Sequence, residues 1–523
     1  MRDFVDVGAD LGLSPEELVA AGRHRARLAP EALGRLDAPA NGREVLVTAM
    51  TPTTAGIGKT VTSIGLAMGL QRTGRRAVAT LRQSSLGPTL GRKGGGAGGG
   101  QARIEPFEDA LVGLGADLFA IEAATNLLAA AVDESIRVDE HDLDPESVTW
   151  KRCIDLDDRA LRHIVVSARA EHRRTTGFIA TAASEVMAVL SLAADPADLR
   201  QRLGRIVVGA TRGGEPVTAE DLRAAGAMAV LLRDAAHPHL FQTTEGTPVL
   251  MHAGPYANLG TGNSSVFGDR LALRLADWVV TEGGFGSDLG GEKFLHLKRP
   301  HLGVDPSVAV LVCSVAAVDE HGVANLRRHV EHLAGYGVPI VVAVNRFDAG
   351  DDERAAPIRE VAVEAGASAV VLHDAFVKGG AGCIELAEAV ADVGAAASPS
   401  VTPRYHAEDT FDEKVAALAT GVYGAAGVRW SEAARQQLER LTRAGLGGLP
   451  PCVAKTPMSL SHDPKLGATP EDFELDVVEI VPYVGAGYLV VRCGPIVALP
   501  GMPDEPRYQQ MELAADGSIT GLV

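Results

Sequence analysis

Cysteine is scarce in this chain, with five in 523 residues, at positions 153, 313, 383, 452 and 493. No two form a CxxC pair, so neither a zinc site nor a disulfide framework is indicated, and each is expected to be an ordinary packed residue. Aromatic residues make up only 4% of the sequence. There is no long basic run, and the net charge is −18, which excludes a surface that tracks a nucleic-acid backbone. The N-terminal MRDFVDVGADLGLSPEEL lacks both the charged and apolar regions of a secretory leader and a membrane-length apolar run. The chain therefore reads as cytoplasmic, with no membrane as partner. His296 and His301 have no second donor at metal-ligand spacing and are read as surface or packing residues.

What is present is ample apolar material. Hydrophobic side chains make up 46% of a chain too long for one ordinary domain, so two or three domains are expected. Residues 1–40 have helical spacing, with Ser14 as a cap and Pro15 in the first turn. Glu44-VLVTAM reads as a buried strand, Val61-TSIGLAMGLQRTG as the helix after it, and Arg76-AVATLR as the next strand. Further apolar runs occur at Arg205-IVVGA, Ala229-VLL, Pro248-VLMHAG, Trp278-VVTEG, Val308-AVLVCSV, Pro339-IVVAVNRF and Ser368-AVVLHDAF. Helical segments separate most of them, which predicts an α/β fold with a P-loop-like doubly wound parallel sheet and additional smaller α/β domains. We expect residues 1–150 and 200–350 to build the nucleotide-binding core and 151–199 to form a helical insertion or the start of a second lobe. Residues 351–523 are expected to form the C-terminal α/β domains.

The segment Thr53-Thr-Ala-Gly-Ile-Gly-Lys-Thr60 matches the GK[ST] half of the P-loop pattern but has Thr53 where the first glycine belongs. With a strand before it and a helix after it, its backbone N–H groups and the positive helix end would converge on an anion. Thr53, Ala55, Gly56, Gly58, Lys59 and Thr60 are therefore the candidate nucleotide-binding residues; Lys59 would hold the terminal phosphates and Thr60 is a candidate Mg²⁺ ligand. The bland alternative is a plain strand-to-helix turn with an exposed lysine. A second cluster, Gly91-RKGGGAGGG, has seven glycines in ten residues and follows Arg82-QSSLGPTL. Its missing side chains permit close backbone approach to a ligand, and Arg82 and Lys93 add positive charge, although a flexible surface loop fits the same composition.

These segments, TPTTAGIGKT, LRQSSLGP and GRKGGGAGGG, together resemble the successive signatures of formate–tetrahydrofolate ligases. The resemblance continues in order through Ala183-SEVMAVLSLA, His252-AGPYANL, Glu282-GGFGSDLGGEKF, Lys378-GGAG and Ala454-KTPMSLSHDP. It implies a three-domain homo-oligomer, usually a tetramer, that uses ATP and Mg²⁺ to activate formate as formyl phosphate and passes the formyl group to N10 of tetrahydrofolate. It leaves room for a monovalent cation. Lys59 is similar to the family's loop lysine, Arg82 to the arginine on the transferred phosphoryl group, and Asp117 to the carboxylate near the amine. Gly98, Gly99, Lys93 and His252 fall in the expected phosphate and acid pocket. Phe347 and Phe376 fall where two aromatics stack on the pterin, although ordinary core packing would also explain either ring.

The chain departs from that pattern at signature positions. Ile57 and Gln83 stand where carboxylates are usual, Ile179 replaces an aspartate, and Phe376 replaces a tryptophan. Phe119, Thr125 and Thr261 occupy the places of three histidines in the acid pocket, removing candidate proton carriers. Three readings stay open on these residues: the orthodox ligase, a paralogue activating a different small carboxylate or acylating a different amine, and a nucleotide-binding regulator without catalysis.

Overall fold

The computed structural model describes residues 1–53, 56–91, 96–169, 172–348 and 350–522. Its centre is a twelve-stranded, largely parallel sheet. In chain order the strands are β1 (Leu18–Ala20), β2 (Ala26–Leu28), β3 (Arg43–Ala49), β4 (Ala77–Leu81), β5 (Gly98–Gly99) and β6 (Ala102–Glu105). They continue as β7 (His239–Thr243), β8 (Pro248–Met251), β9 (Trp278–Glu282), β10 (Val308–Cys313), β11 (Ile340–Asn345) and β12 (Ala369–His373). The spatial order is β1-β2-β7-β8-β4-β9-β3-β10-β11-β12, with β6 also pairing β7, and β5 pairing β6. From β8 to β12 every pairing is parallel. These strands are almost uniformly buried Val, Ile, Leu and Ala, as a sheet covered on its faces requires.

Helix α1 (Lys59–Arg72) leaves the loop after β3 and buries nine residues. Helix α2 (Gly115–Val138) belongs to an apolar span, Phe107–Val138, that is long enough to cross a membrane by length and composition. Its inward stripe of Leu118, Ile121, Leu128 and Val132 instead builds a second core with Val186, Leu190 and Leu203. A third core gathers Phe411, Val415, Leu475 and Val491 around a four-stranded C-terminal sheet.

Several expectations are corrected here. The lead-in is not wholly helical: after the helix Phe4–Asp10 it supplies β1 and β2 to the main sheet. Ser14 does cap the turn that Pro15 opens, and Glu17 returns a hydrogen bond to the Ser14 N–H. The main sheet does not end near residue 350, because β12 pairs along β11 and Cys383, Leu386 and Val390 fill the first core. Residues 151–199 are not mainly helical, since Arg152–Ile154 pairs with Phe178–Ala180 and Ile164–Arg169 with His172–Thr176. Ala229-VLL lies in the helix Ala225–Leu232, the ambiguity that a short apolar run always carries. Arg205-IVVGA supplies the strand Val207–Ala210, which pairs outside the main sheet with Pro216–Thr218.

Candidate active site

The carboxyl ends of the parallel strands collect the candidate residues. The loop after β3 closes on itself at Thr53, whose hydroxyl donates to the Gly56 carbonyl at 2.9 Å while Gly56 N–H donates back to Thr53 O at 3.0 Å. The threonine that replaces the first P-loop glycine thus braces the turn. Gly58 precedes α1 with φ of 79°, and a Cβ there would lie 2.1 Å from Asn345 Nδ2 at the end of β11. Glycine is required on both counts, and it leaves the first-turn N–H groups of α1 without a side-chain cap. Thr60 is half-buried in that first turn. Ala55 and Lys93 lie outside the described residues.

Lys59 opens α1, and its Nζ donates to the Phe285 carbonyl at 2.9 Å. Phe285 follows β9 in the segment Glu282-GGFG and holds a left-handed φ of 58°, which aims its carbonyl at the lysine. Arg82, directly after β4, reaches the same segment. Its guanidinium lies 3.9 Å from the Glu282 carboxylate and donates to Pro255 O at 3.1 Å. A Cβ on Gly284 would stand 3.1 Å from Arg82 Nη2, so this glycine admits the guanidinium. The Arg82 side chain keeps 26% of its surface open, and burial lowers its pKa against the opposing field of Glu282. A lysine from the start of α1 and an arginine from the end of β4 therefore meet one turn at the end of β9. Arg82 Nε, Glu282 Oε2, Asn258 Oδ1 and Thr261 Oγ1 are buried there without hydrogen-bond partners among the described residues. Such orphaned groups ask for a polar ligand or ordered water.

At the neighbouring strand ends, Phe347 follows β11 and Phe376 follows β12, 61% and 54% exposed. Two large apolar rings thus lie open to solvent at the ends of adjacent strands. Gly98 and Gly99, expected at the phosphates, form β5: Gly98 backs onto Ile64 of α1, and a Cβ on Gly99 would sit 3.2 Å from the Phe376 ring. Of the two, only Gly99 lies against the Phe376 ring.

The family model for formate–tetrahydrofolate ligase matches residues 1–523. Curated relatives of that name share 43% identity in Aeromonas hydrophila, over 98% of this chain and 96% of theirs. In Myxococcus xanthus the identity is 44% over 100% and 99%, and in a Nocardioides species 44% over 100% and 98%. The chain belongs to the formate–tetrahydrofolate ligase family.

Within this ligase scaffold, several expected roles are displaced. His252 is sealed in: Nδ1 contacts Ser265 Oγ at 2.6 Å, Nε2 lies 2.8 Å from Ala235 O, and burial lowers its pKa to about 4. It is a neutral structural imidazole, not an acid-pocket group. Asp117 is 2% exposed and accepts from Arg27 at 2.7 Å, Gln83 at 2.6 Å and His239 at 3.0 Å. Those donors overcome desolvation and hold the carboxyl below its ordinary range, so it is an anchor and a poor proton acceptor.

Phe119, Thr125 and Thr261 do not line one cavity. Phe119 is 60% exposed, whereas Thr125 on another face of α2 turns its hydroxyl to Ile121 O at 2.8 Å inside the second core. Six residues along a helix turn the direction by roughly 240°, which separates the two side chains. Thr261 does belong to the site, next to Gly262, whose carbonyl accepts from Gly284 N–H at 2.8 Å.

Glu292 and Lys293 are fully buried and do not pair with each other: Glu292 meets His296 at 2.8 Å, which also makes His296 a packed residue. Lys293 donates to the carbonyls of Ala257 and Asn258 and so pins the loop that receives Arg82. His301, in contrast, sits at the surface. Sequence reading missed Glu282, Phe285 and Asn345 as site-building residues. The available signal was their position, each at or just beyond the end of a parallel strand.

Proposed function

We propose that this protein joins formate to N10 of tetrahydrofolate at the expense of ATP, with formyl phosphate as intermediate. The carrying observation is that Lys59 and Arg82 both reach the turn Glu282–Phe285 at the end of β9. Formate is a poor electrophile, so its oxygen must first displace ADP from the γ-phosphorus. That step demands positioning and neutralisation of phosphoryl charge, which one lysine, one arginine and an uncapped helix start can supply. The amine then attacks the formyl carbon and phosphate leaves.

Thr60, at the second position of α1, would touch the Mg²⁺ carried by the nucleotide. No cluster of metal-holding carboxylates, histidines or cysteines lies among the described residues, which fits an ion carried in on the nucleotide's own phosphates. Phe347 and Phe376 are the proposed pterin plates, with Gly99 against the Phe376 ring. The relatives lend no support to a different acid, a different acceptor or a silent regulator. A cytoplasmic homo-oligomer is the proposed working form. In its favour, the helix Ala225–Leu232 packs on α2 yet leaves Val230 and Leu231 exposed.

The test supplies MgATP, formate and tetrahydrofolate and follows 10-formyltetrahydrofolate and ADP. Product that requires all three is expected; nucleotide binding without formate-dependent turnover would refute the reading.

A further inference from the structure

Formyl transfer has a requirement that the cations do not meet. As the nitrogen–carbon bond forms and the carbon–oxygen bond to phosphate breaks, phosphate departs with the electron pair and the nitrogen must shed one proton. The usual carriers are out of reach: His252 is sealed in and three donors hold Asp117. Resting on the ligase reading above, we propose that Ser85 and Asp155 form the route for this proton. Ser85 touches the reacting amine, and Asp155, a positioning residue behind it, takes the proton through the serine.

Ser85 lies three residues past Arg82 and is half-buried. It occupies the N-cap position of the short helix Leu86–Leu90 but makes no side-chain cap bond. Its hydroxyl instead donates to Asp155 Oδ1 at 2.6 Å, so the oxygen's two lone pairs act as acceptors, one toward the Tyr256 hydroxyl and one open. Asp155 is 2% exposed, and its other oxygen accepts from Leu86 N–H at 2.7 Å. The main chain of Asp155 is in turn held by Glu122 of α2, whose carboxylate accepts its N–H and the Thr181 hydroxyl.

Tyr256, on the loop that receives Arg82, completes the arrangement. Its hydroxyl is buried against Ser85, whose hydrogen bond opposes the rise that burial gives its pKa, in the field of Asp155, Asp157 and Arg82. The tyrosine thus links the loop that receives the arginine to the serine–aspartate pair, and the second lone pair of Ser85 Oγ faces the amine. When the amine's proton moves to Ser85 Oγ, the serine's own proton moves to Asp155 Oδ1, and the resulting carboxylic acid later returns it to water.

Burial lifts the Asp155 carboxyl to about 7, against the hydrogen bonds from Ser85 and Leu86 and with help from Glu122 and Asp157. Asp157 in turn faces Arg162. A carboxylate with that pKa can accept a proton at neutral pH and release it again. A purely structural Asp155 would serve only as a surrogate helix cap, which an asparagine could also provide.

The experiment compares the unchanged protein with Asp155→Asn and Ser85→Ala in two assays. Formyl transfer to tetrahydrofolate reads the proton step. Formate-dependent scrambling of an oxygen label in the β,γ-bridge of ATP, without tetrahydrofolate, reads phosphoryl transfer alone. We expect transfer to fall about 100-fold in each variant while scrambling persists. We also expect the decline of kcat below about pH 7 to vanish in Asp155→Asn, because the titrating carboxyl is gone. Transfer within about threefold of normal, or an unchanged pH profile, overturns the relay. Loss of scrambling together with transfer in both variants, with the fold intact, also overturns it, since the pair would then serve the scaffold. If Asp155→Asn does not fold, Ser85→Ala decides by the same split. Absence of both scrambling and product in the unchanged protein refutes the ligase reading itself.

Discussion

A single side chain can be judged by what its polar atoms are already doing. Lys59 spans from α1 to the Phe285 carbonyl, a contact that a phosphoryl oxygen can outbid because a charge-assisted bond is the stronger. Lys59→Ala should therefore lower formate-dependent ADP formation by at least about 100-fold with little change in melting temperature. Rapid-quench measurement of ADP checks this. His252 predicts a pH effect. Its pKa falls from 6.5 to about 4 on folding, so the stability of the neutral ring is complete above about 6.5 and lost as pH drops toward 4. The melting temperature of the unchanged protein, minus that of His252→Gln, should decline across that interval; a constant difference would contradict the assignment. At this scale the sequence was informative for Lys59 and Arg82, whose motifs state their task. It misled for His252, Thr125 and Phe119, because a motif gives a residue's place in the chain and burial decides which face of it is usable.

Elements were more legible where length and β-branching agreed. Strands β3, β4 and β8 to β12 were all visible as apolar runs, since a strand buried on both faces leaves little choice of residue. Short segments were not, and Ala229-VLL became helix because period cannot be read from four residues. The loop between β3 and α1 supplies one test. Gly58→Ala places a methyl 2.1 Å from Asn345 Nδ2 at a left-handed φ that alone costs about 1–2 kcal/mol. The KM for ATP should rise roughly tenfold, measured at saturating formate and tetrahydrofolate. The ends of β11 and β12 supply another. Phe376 is too exposed to hold the fold, so Phe376→Ala should raise the KM for tetrahydrofolate about tenfold, leaving oxygen-label scrambling and melting temperature in place. Equal damage to scrambling would mean that the ring serves the nucleotide side.

Across the whole molecule, domain boundaries were the least legible feature, because the cores interleave the chain. The second core takes residues from α2 and also Cys452, Tyr488 and Val490 of the C-terminal sheet. Buried polar links tie these bodies to the site. Ser287 Oγ lies 2.8 Å from His329 Nδ1 and 2.9 Å from His332 Nδ1, and His329 reaches Thr51 at the start of the nucleotide loop at 3.1 Å. Next to Ser287, Asp288 pairs with Lys455 of the C-terminal region at 2.5 Å, both shielded from water. Asp288→Asn strands a buried ammonium and should cost about 3–5 kcal/mol of unfolding free energy in urea titration. A loss below about 1 kcal/mol would show that the pair is dispensable.

The order β4-β9-β3 has a consequence for where the cations can close. Arg82 follows β4 and Lys59 opens the helix after β3, so they approach from opposite sides of β9 and converge on the turn at its end. The interposed strand works as an anvil: its end, held by backbone hydrogen bonds that no side-chain substitution removes, is the fixed point against which both grips close.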